Sequence, residues 1–305
     1  MKKLPDFLVI GFPKCGSTSL HYYLDAHPEI FMPKQKELHY LSFPIISKLN
    51  RGPQDKYIKR LHIRDYKTYE KQFVSAKKNQ IIGEVSPSYV NYPNFCIPKI
   101  KETLDNPKII ILVRDPIKRA YSNYLHLKRE QRENLSFYEA LLKEEERKKN
   151  GYSDFWYYKF NSTYYSKIKA FKNAFSHVLI IESEMLKNEP KDCLSEVYDF
   201  LNVDSNFTPK NINKSYNEGG LYKKSLLTNL IFKQNKYRDF LRKNLPMKAS
   251  LKHFKQKLIK VYQEEAPEID IQSKTLLIES LKEDSQNLKK TYNLSCKNWE
   301  SKLFE

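Results

Sequence analysis

Four short apolar runs set the strongest limit on what this chain can fold into: FLVIGF at 7–12, QIIGEVS at 80–86, KIIILVR at 108–114 and HVLIIES at 177–183. They are apolar almost throughout and do not alternate as strands with one wet face do, so each is expected to be a strand covered on both sides. Between them lie segments with helical spacing, among them DYKTYEKQFVSA, PIKRAYSNYLHLKRE and STYYSKIKAFKNAF. Buried strands alternating with helices predict an α/β fold in three layers, a central parallel sheet flanked by helices. A further helix is expected in CLSEVYDFLNV, and after Tyr222 a helical C-terminal part that includes the amphipathic LLIESLKEDSQNLKKTYN. The chain reads as one domain over 1–305, with a core at about 5–205 and the helical part at about 221–305 packing on it.

In an open parallel sheet, ligands bind beyond the carboxyl ends of the strands, where helix N-termini point free N–H groups outward. The stretch PKCGSTS at 13–19 follows the first run and falls at such a place. Gly16 permits close backbone approach, and Ser17, Thr18 and Ser19 offer hydroxyls and first-turn amides to an oxyanion. Lys14, Cys15, Gly16, Ser17, Thr18 and Ser19 are therefore the expected anion-binding loop. Gly11 to Thr18 has the spacing G-x-x-x-x-G-S-T, so the closest generic pattern is a Walker P-loop, and the fold is expected to be P-loop-NTPase-like. Ser17 stands where the Walker lysine would be, while Lys14 comes before the glycine, where it can neutralise a group at the first phosphate of a nucleotide. Taken alone, the segment is also compatible with a strand-to-helix turn that holds nothing.

A second candidate lies in ILVRDPIKRAYSNYLHL. Asp115-Pro116 marks a helix start, Arg114 ends the preceding strand, and Ser122 follows eight residues later, two turns into the helix. An arginine there can fork onto a phosphate, or it can pair with a carboxylate at the sheet edge.

The net charge of +18 implies an acidic partner, yet the lysines are spread along the whole chain. No concentrated basic segment or nucleic-acid motif occurs, so no specific nucleic acid is expected, and a solvated lysine-rich surface accounts for most of the excess. The four cysteines form no C-x-x-C pair and the seven histidines show no metal spacing, so no metal site is expected. No apolar stretch reaches the roughly 18 residues of a membrane span, and FLVIGF is too short for a signal-peptide core. A cytoplasmic location follows as an expectation, with peripheral membrane contact still open. Five N-x-[ST] triplets, at Asn134, Asn161, Asn206, Asn213 and Asn293, would matter only in a secretory lumen.

Together the two motifs resemble those of the nucleotide-dependent sulfotransferases, in particular the carbohydrate branch with the heparan-sulfate enzymes and their bacterial relatives. In that family a P-K-x-G-[ST]-[ST] loop holds the 5′-phosphosulfate of 3′-phosphoadenosine 5′-phosphosulfate (PAPS), and an R-x7-S pair holds its 3′-phosphate. Lys14 to Ser19 match the first and Arg114 with Ser122 the second. KELHY at 36–40 resembles the branch's K-E-x-H-[FY] segment, which implies Glu37 as the base that takes the acceptor's proton, with His39 as the competing base. GEVSPSYV resembles the E-K-[ST]-P-x-Y segment, but Val85 stands where the heparan enzymes carry lysine. Later blocks match up to Trp299, and KNINKSYNEGGLYKK resembles a loop that closes over the 3′-phosphate, which would bring Lys223 and Lys224 to the donor. An ordinary solvated helix start is the other reading of those two lysines.

The resemblance implies in-line, metal-independent transfer of a sulfuryl group from PAPS to a hydroxyl or amine of a carbohydrate or glycolipid. In it Glu37 is the base, and Lys14 stabilises charge on the leaving oxygen. Glu84 is a candidate to orient Lys14 or an acceptor hydroxyl. Tyr22, Tyr23, Tyr40, Tyr89 and the FWYY cluster at 155–158 are candidates to line a sugar cleft. A P-loop kinase using Mg-ATP and a non-enzymatic polyanion-binding module are the competing readings.

Overall fold

The apolar runs form strands because their residues have nowhere wet to face. In the computed structural model, which describes residues 3–212, 214, 221–222, 263–264 and 266–305, they become β1 (Phe7–Val9), β3 (Ile81–Val85), β4 (Lys108–Val113) and β5 (Val178–Glu182), joined by a two-residue strand β2 (Ile30–Phe31). The sheet order is β2-β3-β1-β4-β5 and every pairing is parallel. Ile109, Ile110, Ile111, Leu112 and Val113 are all fully buried although successive side chains face opposite ways. Only a sheet covered on both faces allows that. The expected three-layer architecture is therefore the observed one.

Central position makes β1 the organising strand. It pairs with β3 on one side and with β4 on the other, so the chain turns in opposite directions around its carboxyl end, and a crevice opens there. Pairing with β4 continues past β1 through Ile10 N–H to Ile110 O (2.9 Å) and Phe12 N–H to Leu112 O (3.2 Å). A Cβ on Gly11 would lie 2.3 Å from Leu112 N, so this approach needs glycine.

The helices at Pro116–Arg129, Tyr165–Ala174 and Pro190–Leu201 follow the predicted spacing. DYKTYEKQFVSA does not: Asp65 caps a helix that runs only over Tyr66–Glu70 and tightens into a 3₁₀ turn at Lys71–Phe73. A helix not read from the sequence spans Pro93–Leu104.

The C-terminal helix Ile271–Tyr292 buries Leu277 and Leu281 with Ile117, Tyr124 and Trp156, and Leu288 enters the main core. Asp284 on it accepts the backbone N–H groups of Tyr164 (2.7 Å) and Tyr165 (3.0 Å), capping the start of the Tyr165–Ala174 helix. Farther on, Asp115 accepts Glu300 N–H (2.8 Å), and Glu182 accepts those of Ser295 (2.8 Å) and Cys296 (3.0 Å). Leu281→Ala is accordingly expected to lower unfolding stability by about 2–5 kcal/mol in a urea titration, as a cavity in the core does. The short strands β6 (Leu221–Tyr222) and β7 (Gln263–Glu264) pair antiparallel. Lys223, Lys224 and the rest of the expected helical stretch before Gln263 lie outside the described residues.

Candidate active site

At the carboxyl end of β1 the chain turns through Pro13–Gly16 into the helix Ser17–Asp25. Lys14 (φ 72°) and Gly16 (φ 92°) are left-handed and Cys15 between them is not, which curls the loop into a concavity of the kind that binds anions. Gly16 provides no side-chain cap and the first turn holds no acidic residue, so the N–H groups of the first turn and their partial positive charge face the cleft. From below, the fully buried Arg119 holds the loop, donating to Pro13 O (3.4 Å), Tyr158 O (2.8 Å), Ser162 Oγ (2.7 Å) and Asn123 Oδ1 (3.1 Å). Cys15 differs from its neighbours. Its side chain is fully buried in the core and its thiol is pushed up to about 12 by that burial, so only its backbone can serve a ligand.

Cations converge on this loop. Arg114 donates to Lys14 O (3.2 Å) and its own carbonyl accepts Tyr164 OH (3.0 Å). Among the described residues no carboxylate lies within ion-pair distance of Arg114, so the sheet-edge salt bridge is not formed. Lys14 is pushed down to about 8, first by burial and then by Arg129 and Arg114 beside it. Ser122 and His126 project into the same cleft from the helix Pro116–Arg129, one turn apart. His126 bonds Arg129 through Nδ1 (2.9 Å) and lies 3.4 Å from Glu130 through Nε2.

The KELHY segment forms the facing wall. Its backbone is clipped to the sheet by Glu37 N–H to Val85 O (2.9 Å) and His39 N–H to Ser86 Oγ (3.1 Å). Glu37 (φ 61°) and His39 (φ 56°) are both left-handed, and Leu38 between them is fully buried, so the two polar side chains turn to the cleft. Glu37 Oε2 lies 3.8 Å from His39 Nε2, whose other ring nitrogen bonds Ser88 Oγ at 2.6 Å. The ring of His62 lies tilted against that of His39, 4.2 Å away, and its pKa is pushed down to about 2, first by burial and then by His39.

Sequence reasoning passed over Lys36. Its ammonium donates to Thr18 Oγ1 (2.9 Å), to Ser17 Oγ (3.3 Å) and to Glu37 Oε1 (2.6 Å), joining the loop to the KELHY wall. Desolvation raises the proton affinity of Glu37, but Lys36 and His39 outweigh it and hold the carboxyl well below the usual carboxylate range.

The cleft has a volume of about 1650 Å³ and is lined by Lys14, Gly16, Ser17, Thr18, Ser19, Arg114 and Ser122 on one side and by Glu37, His39, His62 and Arg132 on the other. Several expected residues are elsewhere. Glu84 is fully buried, accepting Tyr69 OH (2.5 Å), Tyr89 OH (2.6 Å) and Ser86 Oγ (2.6 Å), so it orients neither Lys14 nor a ligand. Tyr89, Trp156, Tyr157 and Tyr158 belong to the core, Tyr40 stacks on Tyr69, and only Tyr22, Tyr23 and Phe155 of the aromatic candidates line the cleft. The guanidinium groups of Arg132 (5.3 Å) and Arg147 (4.9 Å) lie against the Trp156 ring. Among the described residues no group of three or more His, Cys, Asp or Glu could hold a metal ion, and no helix is long and apolar enough to cross a membrane.

Known proteins resemble this chain in sequence and in fold. The chain superposes on the crystal structure of a sulfotransferase from Alicyclobacillus acidocaldarius with a TM-score of 0.66 and 34% identity, over 70% of this chain and 87% of that one. It is 38% identical over 121 residues to the membrane-associated sulfotransferase kil1 of Dictyostelium discoideum, and 28% identical over 170 residues to human carbohydrate sulfotransferase 15. Those matches cover 40% and 46% of this chain but only 22% and 30% of the two relatives. The family model described as "Sulfotransferase family" matches residues 5–209, and the chain belongs to the sulfotransferase family.

Proposed function

We propose that the protein transfers a sulfuryl group from PAPS to a hydroxyl or amine of a carbohydrate or glycolipid acceptor. One observation carries this reading. Lys14, Lys36 and Arg114 gather at an uncapped helix N-terminus, where, among the described residues, Glu37 is the only carboxylate that directly pairs with one of them. Such a cluster is short of negative charge and suits a nucleotide whose transferable group sits on its first phosphate. The carbohydrate sulfotransferase among the relatives supports the choice of acceptor.

Transfer asks little covalent work of the protein. As the acceptor oxygen or nitrogen bonds to sulfur, the bond from sulfur to the bridging oxygen of the 5′-phosphate breaks and the electron pair stays on that oxygen. Lys14 stabilises the charge there, and first-turn N–H groups hold the phosphate. Glu37 takes the acceptor's proton, with His39 and Ser88 fixing the orientation of its wall. Arg114 and Ser122 receive the 3′-phosphate at the other end. The products are the sulfated acceptor and adenosine 3′,5′-bisphosphate. These roles ask nothing of a metal ion, and the protein is read as cytoplasmic.

Calorimetric titration tests the reading. The wild-type protein is expected to bind adenosine 3′,5′-bisphosphate more tightly than ATP, with or without magnesium. Arg114→Ala should weaken the bisphosphate by roughly 10- to 100-fold, the worth of charge-assisted hydrogen bonds, and adenosine 5′-phosphate by far less. Magnesium-dependent preference for ATP would instead support a kinase.

A further inference from the structure

Lys36 belongs to the cation cluster, but the steps of transfer give it no task of its own. Its ammonium reaches two hydroxyls of the anion-binding loop and, at the shortest of its three contacts, the carboxylate assigned as base. These partners belong to different halves of the cleft: Ser17 and Thr18 open the helix that faces the donor, and Glu37 faces the acceptor. Lys36 is only 19% exposed, so its charge is poorly shared with water and depends on these partners. The backbone allows little alternative, because Glu37 and His39 are fixed in left-handed conformations around the buried Leu38.

We propose that Lys36 is a cation shared between donor and base, which makes Glu37 a competent proton acceptor only after the donor has bound. In the empty loop the ammonium serves Glu37. A phosphosulfate group, doubly negative over its phosphate and sulfate and held by the first-turn N–H groups and by the Ser17 and Thr18 hydroxyls, is a stronger partner than two neutral hydroxyls, and it draws the ammonium away from the carboxylate. Glu37 then loses the neighbour that suppresses its proton affinity most. Lys36 is thus a positioning residue: it touches both halves, and donor binding is the event that frees the base. The inference rests on the donor assignment proposed above.

Thermodynamic reciprocity supplies the test, since a base that competes for Lys36 must oppose donor binding by the amount that the donor opposes the pairing. Affinity for adenosine 3′,5′-bisphosphate is measured by calorimetry on wild type, Glu37→Gln, Lys36→Met and the double variant. Removing the Glu37 charge should tighten binding roughly tenfold when Lys36 is present, the low end of what a charge-assisted hydrogen bond contributes. In the Lys36→Met background, where only direct repulsion is relieved, the same change should give a clearly smaller gain. Lys36→Arg, which keeps a cation, should retain most of the larger gain. Equal gains in the Lys36 and Lys36→Met backgrounds, or loss of the difference in Lys36→Arg, would overturn the proposal while leaving the donor assignment standing. A wild-type protein that fails to bind the bisphosphate would overturn the donor assignment and the proposal together.

Discussion

Lys14→Ala is expected to lower kcat by about 10²- to 10³-fold, the cost of removing one preorganised group from a developing negative charge. The ground-state loss should be smaller, because the Ser17–Asp25 helix N-terminus, Lys36 and Arg114 remain to hold the donor. A split of this kind, large in kcat and modest in bisphosphate affinity, is what transition-state stabilisation requires. The variant also changes the pH profile in a defined direction. In the free protein Lys14 is pushed down to about 8, and a bound anion raises it again. Only the protonated lysine favours the anion, so donor affinity is complete below about pH 8 and falls as the pH rises through it. Lys14→Ala should abolish that decline along with most of the turnover. A variant that kept both would remove Lys14 from the chemistry.

Glu37→Gln is the second large effect. Loss of a positioned base typically lowers turnover by about 10²- to 10⁴-fold, and the amide retains the shape of the carboxylate while accepting no proton. Donor binding should be kept or tightened, so single-turnover measurements with the donor loaded should isolate the loss in the transfer step. His39 tests the assignment from the other side. Its ring bonds Ser88 at 2.6 Å and lies 3.8 Å from Glu37, which fits a group that orients the base. Full activity in Glu37→Gln would move the role to His39.

Positions set by local spacing were legible in the sequence. The loop from Lys14 to Ser19 and the eight-residue step from Arg114 to Ser122 each depend on one strand end and one helix start, and both appear where the spacing put them. β2 escaped notice because two residues, Ile30 and Phe31, are too short a run to carry a period. Contacts between segments distant in the chain were harder. Glu84 is a carboxylate in an apolar strand, and nothing local distinguishes a ligand contact from the three-hydroxyl cage made by Tyr69, Ser86 and Tyr89. Lys36 was passed over for the same reason. Beside Glu37 it reads as an ordinary surface ion pair, and only the fold brings Ser17 and Thr18, nineteen and eighteen residues earlier, to its ammonium. The FWYY run shows the opposite error, since aromatic residues near a polar site are cleft walls or core depending on helix rotation, and Trp156 and Tyr158 turned inward.

The chain has two tryptophans, both buried, and each is linked through its neighbours to a residue that lines the cleft. Trp156 has the guanidinium groups of Arg132 and Arg147 against its ring, and Arg132 also bonds Glu130 at the cleft. Trp299 sits 6.2 Å from the ring of Tyr164, whose hydroxyl bonds the carbonyl of Arg114. Indole emission shifts with the field of nearby charges, so the two residues form a natural pair of optical reporters. Each can be silenced by a single aromatic substitution, leaving the other to follow the occupancy of the cleft without an added dye.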